Sequence, residues 1–452
     1  MFDLKEEKKF DLDRAVEHLA AAIRFKTVSY PDYLVTDFAQ YDEFLDFLTE
    51  AYPAIHQVCR KEMVNTYSPM FVWKGNDNQG KKPLLLLGHY DVVPAIEDAD
   101  GGWQEPPFAG IVKDDFIWGR GAIDNKGQVI AMLEAVEYLI ESGFKPDRDV
   151  YIVLGFDEEV GGSMGAEKAA ALFKERNIEF ECVLDEGGCI VTDMMEGLKV
   201  PAALVGIAEK AIANFKITVS GQGGHSSMPP VNTAIGTLAK IIANLESQPM
   251  PARLIMPVRE MFKKMAPHMA SNRLVLKNIR PLFPLVNSKL GKSPTINAMI
   301  RTSTAVTMTG GGYAPNVLPP EAWAIINSRI LQGDSVDGVM EHMRKVNPGI
   351  DFTIEKLLGD DPAKSAPIDS PAYKTIEKIL GEMYPDVLVL PYLMAGATDS
   401  RKYAGLCSNI YRFAAMVLTK ELYATIHSEN ERLSVKNFSS IMEFYYKYLI
   451  SI

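Results

Sequence analysis

Between residues 83 and 186 the chain alternates apolar runs of strand length with stretches of helical periodicity, and this alternation constrains the fold more than any other feature. "PLLLLGHYDVV" from Pro83 is followed by "GQVIAMLEAVEYLIES" from Gly127, then "DVYIVLGF", a helix from about Gly165, and "ECVLDE". Apolar strands separated by helices imply an α/β fold with a largely parallel sheet. Near Ala208 the pattern changes. "NFKITVSG" alternates apolar and polar residues like a half-exposed antiparallel strand, and "VNTAIGTLAKIIANLES" follows as an amphipathic helix. A Pro- and Met-rich segment comes after Pro249, then strand-like stretches at 298–309 and in "EAWAIINSRIL", then the helix "SVDGVMEHMRKV". From about Ser370 the first texture returns and runs to a closing helix, "NFSSIMEFYYKYL". The expected architecture is a discontinuous α/β domain made of residues 1–208 and 363–452, with a smaller α+β domain, 209–362, inserted into it.

A chain of 452 residues with 47% hydrophobic and 23% charged residues can build two well-developed cores. Its net charge of -11, with no Lys/Arg-rich block standing out, argues against nucleic-acid and anionic-membrane partners. The amino terminus mixes both signs and lacks the layout of a signal peptide, and no uninterrupted apolar span reaches membrane length. A cytoplasmic location is expected. Cys59, Cys182, Cys189 and Cys407 form no C-x-x-C pair, so reduced, buried thiols are expected rather than a disulfide scaffold or a thiolate metal site.

In a parallel α/β sheet, the loops after the carboxyl ends of the strands converge on one edge. His89 and Asp91 follow one apolar strand, Asp124 opens the next helix, Glu158 and Glu159 end another strand, and Asp185 ends a fourth. Singly, each has a structural explanation as a helix cap or turn residue. Together, several carboxylates on one edge would repel one another and carry a large desolvation penalty unless cations compensate. Histidine with carboxylates and no cysteine suits zinc, with manganese or cobalt as alternatives, and a carboxylate between two ions can bridge them. Two adjacent glutamates can then divide coordination and proton transfer.

"GHYDVVP", "WQEPPFAGIVKDDFIWGRGAIDNKG", "GFDEEVGGSMGA", "LDEGG", "GQGGHSSMPP", "NVLPPEAWAIINSRIL", "AGATDSR" and "IHSENERLSV" resemble, in this order, the signature segments of the M20 metallopeptidase family. Within it the chain looks most like the carboxypeptidase S and N-acyl amino acid amidohydrolase branch. The resemblance implies two zinc ions in a catalytic domain and an inserted lid through which a homodimer can form. It implies His89 and Asp185 on one zinc, Glu159 and His427 on the other, Asp124 bridging them, Glu158 as general base, and Asp91 holding the His89 ring. It further implies a cis Asp124–Asn125 bond, His225 of the lid polarising the scissile carbonyl, and a substrate carboxylate held by Arg401, with Asn297 and Thr398 assisting. The implied substrate is a small peptide or N-acyl amino acid cut beside a free carboxylate. The segment from about 250 to 294 is longer than in the simplest lids of the family.

Two rival readings come from other classes. "GGSMG" matches the G-x-S-x-G nucleophile elbow, with Ser163 as nucleophile and Asp399 and His427 following in the order of a serine-hydrolase triad, although Asp157, Glu158 and Glu159 separate it from its strand. The other rival is a non-catalytic family member acting as a binding protein, which a missing ligand or base would signal.

Overall fold

The computed structural model describes residues 10–76, 80–97, 101–195, 197–269 and 271–451. A 10-stranded mixed sheet forms the centre, in the order Arg60–Val64, Ser68–Trp73, Val150–Gly155, Leu84–His89, Cys182–Asp185, Ile410–Arg412, Ala202–Glu209, Ile190–Val191 and Val417–Leu418, with Leu388–Met394 also paired to Ala202–Glu209. Leu84–His89 lies parallel between Val150–Gly155 and Cys182–Asp185, and Ile410–Arg412 continues the parallel set. Every residue of Leu84–His89 and Val150–Gly155 is buried. These strands therefore carry apolar residues at successive positions rather than alternate ones.

Helices cover the sheet. Lys126–Glu141, buried over most of its length, packs against Val435–Ile450 and Leu12–Arg24. Asp11 caps the last of these by accepting the Arg14 N–H at 3.1 Å.

A second sheet of four antiparallel strands follows the order Ser303–Gly311, Glu321–Ile330, Ala211–Ser220, Thr353–Gly359. Burial alternates along its two central strands, and one face meets the helices Ala234–Ser247 and Val336–Lys345 in a core separate from the large one. Lys210 stands where Ala202–Glu209 of the large sheet runs into Ala211–Ser220 of the small one. Its buried ammonium donates to Ala298 O, Arg301 O and Ser303 Oγ at 2.9–3.0 Å, so one side chain ties down the other strand entering the small sheet.

Two expectations need correction. The first strand-like stretch begins later: Pro294–Ile300 is a helix opened by a proline, and the strand is Ser303–Gly311. Nor does 209–362 pack as one unit. Helices Met256–Met265, Arg273–Lys277, Ile279–Leu290 and Pro294–Ile300 bury Val258, Phe262, Ile279, Phe283 and Ile300 in the large core, because their apolar stripes face strand Leu388–Met394 and its surroundings rather than the small sheet.

Candidate metal centre

The carboxyl ends of three adjacent parallel strands deliver His89, the Asp157-Glu158-Glu159 turn, and Asp185 with Glu186 to one edge. His89 is almost fully buried. Its Nδ1 lies 3.0 Å from the Asp91 backbone O and 3.3 Å from Asp91 Oδ1, both acceptors, so this nitrogen carries the proton. The other nitrogen, Nε2, is thereby aimed at Asp124 Oδ1 at 3.1 Å and Glu186 Oε1 at 3.5 Å. On the far side of Asp124, His427 Nε2 lies 3.0 Å from Oδ2 and 3.2 Å from Glu159 Oε1. Two groups of donor atoms result, His89–Asp124–Glu186 and Asp124–Glu159–His427, each with its ligand atoms within 4.8 Å of one another. Asp124 belongs to both.

Local structure fixes each donor. Asp91 also accepts the backbone N–H groups of Glu158 and Glu159 at 3.1 Å each and the Ser29 hydroxyl at 2.6 Å. Glu431, fully buried, accepts the Ile123 and Asp124 amides at 2.9 and 3.1 Å and the Arg120 guanidinium at 2.6 Å, which joins the Asp124 loop to the His427 loop. His427 has φ 59°, a left-handed conformation sparsely populated by residues other than glycine. The Asp124–Asn125 peptide is cis. Asp157 points away from the donor groups and accepts the Met164 and Gly165 amides and the Tyr33 hydroxyl, so only two of the three adjacent carboxylates serve the centre.

The electrostatics are those of a site built for cations. Burial pushes the Glu186 carboxyl up to about 7, with the Asp124 charge adding to it. Burial likewise raises Glu158 well above the ordinary carboxylate range, beyond what the nearby His89 offsets. For Asp124 burial pulls upward, but the bonds from His427 and His89 outweigh it and the net direction is down. His427 is raised to about 10, chiefly by Asp124 and Glu159. Carboxylates gathered this closely, with no lysine or arginine in either donor group among the described residues, fit divalent metal ions, and imidazole with carboxylate donors is the set that zinc, manganese and cobalt accept.

The donors open into a cleft of about 220 Å³ that Glu158 and Glu159 also line. Met394, Met416, Leu418, Tyr423 and Ile426 give it an apolar side.

Of the residues expected from sequence, His89, Asp91, Asp124, Glu158, Glu159 and His427 are brought together here. Asp185 is not. It takes the Ser400 N–H at 2.9 Å, and Glu186, the next residue, faces His89 in its place. Neighbouring residues leaving a strand point opposite ways, so only one of this pair can reach the donors. Glu186 and Glu431 are brought to this edge although neither was expected from sequence; they lie in "LDEGG" and "IHSENERLSV".

Thr398 lines the cleft, yet its N–H and hydroxyl both bond Glu209 Oε1 at 2.8 Å, and Glu209 is held by Arg412. Arg401 is half-buried and donates to Gly161 O at 2.9 Å. Asn297 sits on helix Pro294–Ile300 and lies outside the cleft lining. His225 is exposed on a short two-stranded antiparallel ladder, Gly224–His225 paired with Val317–Leu318, with its Nδ1 against Ser227. The serine-hydrolase alternative finds no support. Ser163 is exposed and faces Tyr33, while His427 is engaged by Asp124 and Glu159.

Residues 85–451 match the model of peptidase family M20/M25/M40. The chain is 37% identical over 438 residues to probable carboxypeptidase S-like 2 of Dictyostelium discoideum, covering 95% of this chain and 83% of that protein. It is 38% identical over 443 residues to an N-fatty-acyl-amino acid synthase/hydrolase of Danio rerio, covering 96% and 85%. Among solved structures, the M20 family metallo-carboxypeptidase of Sulfolobus solfataricus superposes with a TM-score of 0.69 at 20% identity, covering 96% of this chain and 98% of that one.

Proposed function

The chain belongs to peptidase family M20/M25/M40, and from that premise we propose that it is a two-metal hydrolase cutting the amide bond of a small peptide or N-acyl amino acid next to a free carboxylate. The observation that carries this reading is Asp124, whose two oxygens face His89 and His427 at 3.1 and 3.0 Å with Glu158 beside them in the cleft. Two zinc ions, or manganese or cobalt in their place, would make water acidic and polarise the amide carbonyl when bound. Among them His89, Asp124, Glu186, Glu159 and His427 would supply the donors.

Glu158 takes a proton from the attacking water and hands it to the leaving amine nitrogen, the two halves of general acid–base catalysis. Asp91 fixes the His89 ring and the Glu158–Glu159 turn at once. His225 would donate to the carbonyl oxygen once the small domain is brought over the cleft. Arg401 would hold the substrate carboxylate after letting go of Gly161 O, a step that its forked guanidinium suits.

The relatives named for carboxypeptidase and for N-fatty-acyl-amino acid hydrolysis have in common an amino acid carrying a free carboxylate. The apolar side of the cleft favours an acyl group over a charged side chain. Among the described residues no helix is long and apolar enough to cross a membrane. A cytoplasmic homodimer joined through its lids completes the reading.

Purified protein supplied with zinc, manganese or cobalt and given N-acyl amino acids beside their carboxamides tests it. Hydrolysis should be abolished by chelators, and amidation should lower kcat/KM at least about tenfold, since a hydrogen bond to a charged group contributes roughly 1.5–3 kcal/mol. Equal rates on acid and amide would overturn the carboxylate requirement.

A further inference from the structure

We propose that the helical segment 273–292 is a docking surface for anionic lipid bilayers. Between residues 261 and 320 the sequence holds eight Lys or Arg and no Asp or Glu, within a chain of net charge -11. The expectation of no anionic-membrane partner held that no Lys/Arg-rich block stands out against the acidic balance; this stretch is such a block.

Helices Arg273–Lys277 and Ile279–Leu290 turn Leu276, Ile279 and Phe283 into the large core. Arg273, Lys277, Arg280, Lys289 and Lys292 are exposed, and none has an ion-pair partner among the described residues. The preceding helix differs: Lys263 and Lys264 are paired with Glu260 and Glu377. Leu274 and Leu285, 74% and 80% exposed, stand among the unpaired cations. A single exposed leucine is ordinary. Two leucines within a field of unpaired cations, on short helices whose other face is anchored, have the layout of a surface that rests in lipid headgroups. Lysine is depleted at protein interfaces, so lipid is the better fit than an acidic protein.

Helix Met256–Met265, which packs against both Arg273–Lys277 and Ile279–Leu290, also packs on strand Leu388–Met394, whose last residue lines the cleft. Docking would hold the cleft close to a bilayer, where apolar acyl compounds partition. The proposal does not depend on the acyl reading, because its basis is charge and exposure alone.

Sedimentation of the full chain with vesicles of phosphatidylcholine, with and without about 30% phosphatidylglycerol, tests it. Binding should require the anionic lipid and weaken in about 0.5 M salt. Neutralising two cations, Arg280→Gln with Lys289→Gln, should weaken it roughly thirtyfold, while hydrolysis of a short, soluble substrate stays at the wild-type rate. Leu274→Ser with Leu285→Ser supplies an uncharged check and should also reduce binding. Equal binding to neutral vesicles, or full binding by the neutralised variant, overturns the proposal. So does capture by polyglutamate without vesicle binding, which would assign the surface to an acidic protein.

Discussion

Asp91 accepts the backbone N–H of Glu158 at 3.1 Å, although 66 residues separate them in sequence. The same carboxylate takes the Glu159 amide and lies 3.3 Å from His89 Nδ1. One side chain thus sets both the ring of a candidate donor and the turn that carries the proposed general base, Glu158, and another candidate donor, Glu159. Asp91→Asn puts an amide donor where one of these acceptors stood. Metal affinity should fall about 10- to 100-fold with the fold retained, as for other residues that orient metal-binding histidines. Metal titration alongside thermal melting checks it, and unchanged affinity would remove Asp91 from this role.

The two glutamates should separate by metal content. Glu159 faces His427, whereas the Glu158 carboxylate lines the cleft without a place in either donor group. Glu158→Ala should keep both ions and lose turnover by a factor of at least about 100, the scale of general-base catalysis. Glu159→Ala should lose metal as well. Elemental analysis of the two proteins decides, and equal metal loss would show the division of roles to be wrong.

Asp185 and Glu186 invite the same comparison. Glu186→Ala should empty the donor group around His89. Asp185→Ala should keep metal but leave the buried Ser400 N–H without its acceptor, lowering stability by about 1–3 kcal/mol. Metal retained by Glu186→Ala and lost by Asp185→Ala would restore the assignment implied by family resemblance.

That pair marks where the sequence stops being readable. His89, Asp124, Glu158 and Glu159 were legible because strand ends in a parallel sheet converge and because acidic runs beside apolar strands demand a counter-charge, whereas His427 came only from the resemblance of "IHSENERLSV" to a family motif. Which of two adjacent carboxylates turns inward depends on the backbone after the strand. There Gly187 has φ 106°, and Gly188 is pressed so close to Leu204 O and Arg412 O that any Cβ would collide. Hydrophobic periodicity does not contain that information. The segment after Pro249 read only as Pro- and Met-rich, and the structure shows its helices packed into the large core.

His56 provides a pH test away from the centre. Burial lowers its pKa below 6.5, against the pull of the Tyr52 backbone O. Below about 6.5 the unfolded chain therefore binds more protons at this site, so its contribution to stability falls as pH drops through that window and recovers as pH rises. His56→Gln should narrow the loss of stability between about pH 7 and about pH 5. Urea unfolding of both proteins at the two pH values measures it, and parallel losses would mean that His56 does not report this linkage.

His225 is the expected site residue that the single chain leaves farthest from completion. Its Nε2 has no hydrogen-bond partner among the described residues, and Met228 and Val231 in the same loop are 82% and 100% exposed, as a surface awaiting a cover would be. If the proposed dimer forms through the small domains, this histidine can serve the cleft of the other subunit. His225→Ala and Glu158→Ala proteins should each be nearly inactive alone. Unfolded and refolded together in equal amounts, they form heterodimers in about half of cases, each with one intact pairing of Glu158 and His225, so activity should return to roughly a quarter of wild type. A mixture that stays inactive while size-exclusion chromatography shows dimers would mean that His225 acts within its own chain or not at all.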